Sequence, residues 1–206
     1  RSMTPPNQGW IEYKLNNQEM DYVWRCIENK KEFIKDTLVG HISSSYKLMD
    51  RGDWFWTNTI HPLVARYNES FNTNLGSNVP ITNHHPYHMS NWWVNYQKKN
   101  EFNPLHDHNG VYSFVIWMKI PTDWRKQNIN PLAATANTSC ISSFQFSYRN
   151  IIGENMPYYY QLSPQDEGTM ILFPSVLQHQ VYPFYECDEE RISVSGNVLL
   201  NTNVKS

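Results

Sequence analysis

From residue 91 onward the chain is a series of short β-branched and aromatic runs: NWWVNYQ, VYSFVIWMKIP, SCISSFQFSY, YYYQL, TMILF, QVYPF and RISVSGNVLL. Pro, Gly, Asn and Asp clusters separate them. Runs of that length, punctuated by turn residues, are strands, and this many in succession predict an all-β sandwich or barrel rather than alternating βαβ units. Composition agrees. Aromatic residues make up 15% of the 206 residues, with 8 Trp and 13 Tyr, while charged residues make up 17%, below the usual quarter. Such a chain can bury a sizeable core.

The first eighty residues differ in texture. GWIEYKL (9–15) reads as a short opening strand. Asn16 followed by Glu19 forms a capping-box pattern, and Met20, Trp24, Ile27, Ile34 and Leu38 fall on one helical stripe that Gly40 ends. The spacing therefore predicts a helix from about Asn16 to Gly40. Ile60, Val64, Tyr67 and Phe71 make a second stripe, with Pro62 near its start. Each stripe needs an apolar partner, and the strands offer one. The expected organisation is a single domain over residues 1–206: a helical preface over about 1–80 and a β-core over about 91–201. There is no internal repeat. The opening RSM reads as a cloning remnant. Residues 122–139 form a long irregular connection, of the kind that serves as a binding lid or as a plain surface insertion.

Several function classes recede on charge and cysteine usage. A net charge of −2 offers no dense basic surface for phosphates, so no nucleic-acid partner is expected. NKKEF and YQKKN read as solvated faces. No apolar run approaches the ~20 residues of a membrane span, and no membrane partner is expected. Cys26, Cys140 and Cys187 are far apart and odd in number, which fits a reducing cytoplasm rather than a disulfide framework.

The chemistry-bearing residues sit at strand ends. In NPLHDHNG, His106 and His108 stand two apart, so on an extended backbone both rings aim to one side and Asp107 to the other. Two imidazoles make an incomplete metal site. His179, directly after the apolar run MILF, is a candidate third. His84, His85 and His88 form a rival chelating pattern, HHxxH, interrupted by Pro86. In RISVSGNV, period two puts Arg191, Ser193, Ser195 and Asn197 on one face and Ile192, Val194 and Val198 on the other. If the first face is turned inward, the Arg191 guanidinium requires an anion, and a small carboxylate ligand would satisfy it.

The ordered set HDH, FPSVLQH and RIS resembles the iron(II)- and 2-oxoglutarate-dependent dioxygenases, in the prolyl-hydroxylase-like branch, and is most similar to the oxygenases of marine bacteria and phages that carry H-x-H where relatives carry H-x-D. The resemblance covers about residues 90–200. It implies a double-stranded β-helix (a jelly-roll, cupin-like core) flanked by two helices. It implies an enzyme that uses Fe(II), 2-oxoglutarate and O₂, releases succinate and CO₂, and hydroxylates a C–H bond of a peptide or small molecule. By the same resemblance, His106, His108 and His179 are metal ligands, Arg191 binds the far carboxylate of 2-oxoglutarate, Ser193 assists it, and Asn95 faces the co-substrate. Position 108 departs from the usual two-His, one-carboxylate site. Three ligand sets stay open: His108 itself, Asp107 turned inward by a bulge, or only two histidines. The expected location is cytoplasmic, the host's if the gene is a phage's. Competing readings are a jelly-roll lectin, a metal-dependent sensor or a capsid jelly roll. Tyr158–Tyr160 and Trp124 read either as an entrance for substrate or as core and rim.

Overall fold

A computed structural model describes residues 1–5, 7–31, 34, 40–81 and 84–203. Two antiparallel sheets carry the fold. The larger has six strands in the order β1 (Ile11–Lys14), β8 (Thr169–Pro174), β5 (Tyr112–Lys119), β10 (Arg191–Leu200), β3 (Tyr87–Gln97) and β2 (Ser44–Lys47). The smaller has β4 (Asn103–His106), β9 (Gln178–Val181), β6 (Phe144–Arg149) and β7 (Asn155–Tyr160). This is a jelly roll of two sheets rather than a closed barrel. Every strand expected from the sequence forms. β4 is the short strand whose end carries His106, and β2, too short and too polar to stand out, has no counterpart in the sequence reading.

The large sheet has two buried faces, which explains the nearly continuous apolar run of β5. Phe114, Ile116 and Met118 join Trp92, Val94, Val194, Val198, Met170 and Leu172 on the helix side, against Val23, Ile27, Leu63, Val64 and Tyr67. Val115 and Trp117 join Ile171 and Phe173 on the other side, against Phe144, Phe146 and Leu162. Gly196 sits where these layers are tightest: a Cβ there would lie 2.4 Å from the Phe114 ring and 2.9 Å from Trp92 Cβ.

The helix α1 spans Asn17–Glu28 and starts as the sequence predicts, with the Asn16 side chain accepting from Glu19 N–H and the Glu19 carboxylate accepting from Asn16 N–H. It buries Glu19, Val23, Cys26 and Ile27, with Met20 and Trp24 packed at the margin. Its end is a correction. The helix stops at Glu28 with Asn29 as its cap, not at Gly40. Lys31 N–H then donates to the Lys47 carbonyl and Ile34 N–H to the Ser45 carbonyl, so backbone bonds alongside β2 replace the helical ones. Leu38, the last member of the expected stripe, lies outside the described residues. The second helix, α2 (His61–Ser70), follows a π-turn over Trp56–Ile60 and buries Leu63, Val64 and Tyr67, with Pro62 in its first turn. Glu19 also accepts from the Tyr13 and Thr59 hydroxyls, tying β1, α1 and that π-turn together through one buried carboxylate.

The first part of the 122–139 connection is pinned to the body of the fold. It contains α3 (Trp124–Asn128), capped by Asp123, and the Gln127 amide both donates to the Tyr185 carbonyl and accepts from its N–H. No helix among the described residues is long and apolar enough to cross a membrane.

Candidate active site

The site lies between the two sheets. Alternation along each strand builds it: Trp93, Asn95 and Gln97 from β3, Val115 and Trp117 from β5, and Arg191, Ser193 and Ser195 from β10 all line one cavity. Pairing fixes their order across the sheet. Arg191 lies opposite Gln97, Ser193 opposite Asn95 and Trp117, and Ser195 opposite Trp93 and Val115. The smaller sheet closes the space with His106, Phe144, His179 and Val181. The cavity volume is about 100 Å³, well above the ~10–15 Å³ that one water needs. Its lining mixes apolar side chains (Trp93, Val115, Trp117, Phe144, Phe173) with convergent polar ones, as sites for polar ligands do.

The three histidines meet because of register. His106 on β4 pairs directly with His179 on β9, and their ring centroids are 4.3 Å apart. A break in regular pairing separates Asn103 from His106 on β4. His108 follows in the next turn, where its N–H donates to the Ser175 carbonyl, and its Nε2 lies 3.2 Å from His179 Nε2. One ligand atom from each of the three falls within 4.8 Å of the others. Nδ1 of His106 faces the Pro104 carbonyl at 2.6 Å, and Nδ1 of His179 faces the Leu177 carbonyl at 2.9 Å. Each carbonyl accepts only from an Nδ1–H, which selects the tautomer whose Nε2 is the nitrogen available to a metal. Burial, reinforced by the His106 imidazole, lowers His108 to about 4, with Asp107 opposing weakly. Burial and the other two rings lower His179 to about 3. Both are neutral at pH 7, as metal ligation requires.

Asp107 is exposed and stands outside the triad. His84, His85 and His88 form no such cluster; among the described residues the triad is the single convergent set of metal-ligating side chains. Tyr158 is exposed on β7, Tyr160 packs on Trp117 and Phe144, and Trp124 stacks under Arg125; none of them lines the cavity.

Arg191 is 2% exposed. Burial lowers it only to about 10, so it stays charged at neutral pH. Among the described residues no carboxylate pairs with it. Its Nη2 donates to the carbonyl (2.8 Å) and hydroxyl (2.6 Å) of Ser142, its Nη1 donates weakly to Gln97 Oε1 (3.4 Å), and its Nε–H has no partner. The Phe184 ring lies 5.1 Å from the guanidinium. Asn95 is buried and its Oδ1 accepts from the Ser45 hydroxyl at 2.7 Å, which turns the amide N–H group free. Sequence reasoning missed Gln97 and Ser142. Gln97 was within reach, two positions beyond Asn95 on the same strand face. Ser142 gave no signal, being a small polar residue in a connecting loop.

The residues fit the groups that the resemblance implied. Three converging imidazoles suit a divalent first-row metal, iron among them. A buried guanidinium with neutral partners and an unpaired Nε–H suits a carboxylate. A jelly roll with an imidazole triad and a buried arginine in one cavity defines a class of metal-binding proteins with a cationic side chain ready for an anionic ligand.

Comparison with known proteins narrows this further. Residues 91–197 match the family model described as "Putative 2OG-Fe(II) oxygenase", and the chain belongs to that family. It is therefore an enzyme dependent on Fe(II) and 2-oxoglutarate, which sets aside the lectin, sensor and capsid readings. Similar solved structures share the fold. An oxidoreductase of the 2OG-Fe(II) oxygenase family from Burkholderia pseudomallei has a TM-score of 0.57 at 12% identity, over 93% of this chain and 85% of that one. A Pseudomonas putida prolyl-4-hydroxylase has a TM-score of 0.55 at 14% identity, over 94% of each chain. OsALKBH1 has a TM-score of 0.52 at 9% identity, over 94% of this chain and 98% of that one. No curated protein sequence matches the chain.

Proposed function

We propose that the enzyme hydroxylates an unactivated C–H bond of a peptide or small molecule, with 2-oxoglutarate converted to succinate and CO₂. One observation carries the site assignment: three convergent imidazoles and a buried arginine without a carboxylate partner line the same cavity. In this reading His106, His108 and His179 hold the iron. Arg191 takes the far carboxylate of 2-oxoglutarate, the Ser193 hydroxyl assists it, and the Asn95 amide, oriented by Ser45, faces the co-substrate. Bound iron and O₂ supply the oxidising power for C–H cleavage.

The chain supplies orientation and a dry pocket. The Pro104 and Leu177 carbonyls hold two rings with Nε2 forward. Trp117, Phe144 and Phe173 exclude water and strengthen the arginine's attraction for an anion. A third imidazole in place of a carboxylate leaves the ligand set one unit more positive than the usual site. The helices and the large sheet share one core, which supports a single domain. Three free cysteines support a reducing, cytoplasmic setting. A prolyl-4-hydroxylase among the similar structures favours a peptide as the first substrate class to try.

Two measurements test this. Anaerobic protein with Fe(II) and 2-oxoglutarate is expected to show the weak visible charge-transfer absorption of the ternary complex. Succinate formation is expected to rise above background with a member of a panel of peptides, free amino acids and nucleotides. Absence of the absorption band sinks the site assignment, and a response to nucleotides alone overturns the substrate class.

A further inference from the structure

The co-substrate clamp contains a residue that no part of the motif announces. Ser142 is fully buried and precedes β6. It is one of the few non-glycine residues with positive φ, at 62°. Its N–H donates to the Pro183 carbonyl at 2.9 Å, and its hydroxyl lies 3.3 Å from that of Thr122. This left-handed turn is strained for a side chain with a Cβ. In that turn, the carbonyl and the hydroxyl of the same residue both reach Arg191 Nη2.

The chemistry of that contact is selective. Both Ser142 acceptors are neutral, and so is Gln97 Oε1. They hold the guanidinium in place without cancelling its charge. A carboxylate in the same position would give a closed, self-satisfied ion pair and leave nothing for a ligand to gain. Asp tolerates positive φ better than most residues, so backbone geometry does not explain its absence here.

Resting on the function proposed above, we propose that Ser142 is a positioning residue for the co-substrate: it fixes the Arg191 guanidinium through neutral acceptors so that its charge stays available to the distal carboxylate of 2-oxoglutarate. Ser142 thereby sets the preference for a dicarboxylic over a monocarboxylic 2-oxo acid.

The test compares Ser142→Asp with Ser142→Asn, which are alike in size and in tolerance of the turn and differ in charge. Binding of 2-oxoglutarate and of 2-oxobutyrate, which lacks the distal carboxylate, is measured by calorimetry on Ni(II)-loaded protein, alongside metal content and Tm. Ser142→Asp is expected to bind 2-oxoglutarate at least ~100-fold more weakly than Ser142→Asn does, with 2-oxobutyrate binding and metal content equal in the two. Equal 2-oxoglutarate affinity in the two variants overturns the proposal, as does a parallel loss for both ligands. If neither folds, Ser142→Ala decides. It is expected to weaken 2-oxoglutarate binding about tenfold and leave 2-oxobutyrate unchanged, and equal effects on the two ligands overturn the proposal. Wild-type protein that fails to bind 2-oxoglutarate defeats the underlying function instead, and the two failures are thus separable.

Discussion

His108 Nε2 and His179 Nε2 lie 3.2 Å apart, although 71 positions separate the two residues. Two imidazole nitrogens meet this closely at neutral pH only if at least one presents a lone pair. Burial holds the His179 ring neutral, and the Leu177 carbonyl, by engaging Nδ1, makes Nε2 the nitrogen that carries the lone pair. The pair is poised for a shared cation.

Metal binding should follow the triad and not the intervening acid. His179→Ala and His108→Ala are expected to lose stoichiometric Fe(II), because each removes one of three converging ligand atoms. Asp107→Ala is expected to keep it, since Asp107 is exposed. Iron titration of the three variants checks this, and loss of iron in Asp107→Ala would reinstate the carboxylate as a ligand.

Arg191→Ala should weaken 2-oxoglutarate binding by roughly 10- to 150-fold, the equivalent of one charge-assisted hydrogen bond worth about 1.5–3 kcal/mol. Iron content should be unchanged, because Arg191 makes none of the contacts that hold the three rings. Equilibrium binding read together with Tm separates lost affinity from lost fold. Undiminished affinity would remove Arg191 from the site.

The metal-free protein should lose stability in acid. His108 and His179 titrate near 6.5 when unfolded and at about 4 and about 3 when folded. Between those limits the unfolded chain binds more protons than the folded one, so stability falls as pH drops from about 6.5 towards 3. Urea midpoints across that range are expected to decline, with a shallower slope in His179→Ala. An unchanged slope in that variant would show that its burial does not hold the ring neutral.

Gly196→Ala should destabilise the protein without touching a ligand. The added Cβ would press on the Phe114 ring and on Trp92. Overpacking of this kind costs about 1–3 kcal/mol, or roughly 2–12 °C in Tm for a chain of this size. Phe114→Leu in the same chain is expected to recover part of the loss. A Tm equal to wild type would mean that the core yields at no cost.

Much of the fold was legible because burial imposes a period. Val94 and Val194 face the helices while Asn95 and Ser193 face the cavity, and alternation alone assigns those sides. The capping box at Asn16 and Glu19 marked the start of α1 correctly. Its end departs from the spacing because Ile34 continues the helical stripe, while its backbone N–H is taken by the Ser45 carbonyl of β2, a strand too polar to carry an apolar alternation.

The sequence by itself determined most of the strand succession, the two alternating faces of β10 and the identity of the candidate ligands, since each depends on local periodicity or on residue chemistry. Tertiary structure alone decided that β4 pairs with β9 so that His106 meets His179, that Asp107 is left in solvent, and that a serine from a remote loop grips Arg191. Those outcomes depend on strand register and on the positive φ of a single turn, and both are set by the packing of whole sheets rather than by any residue's neighbours in the chain.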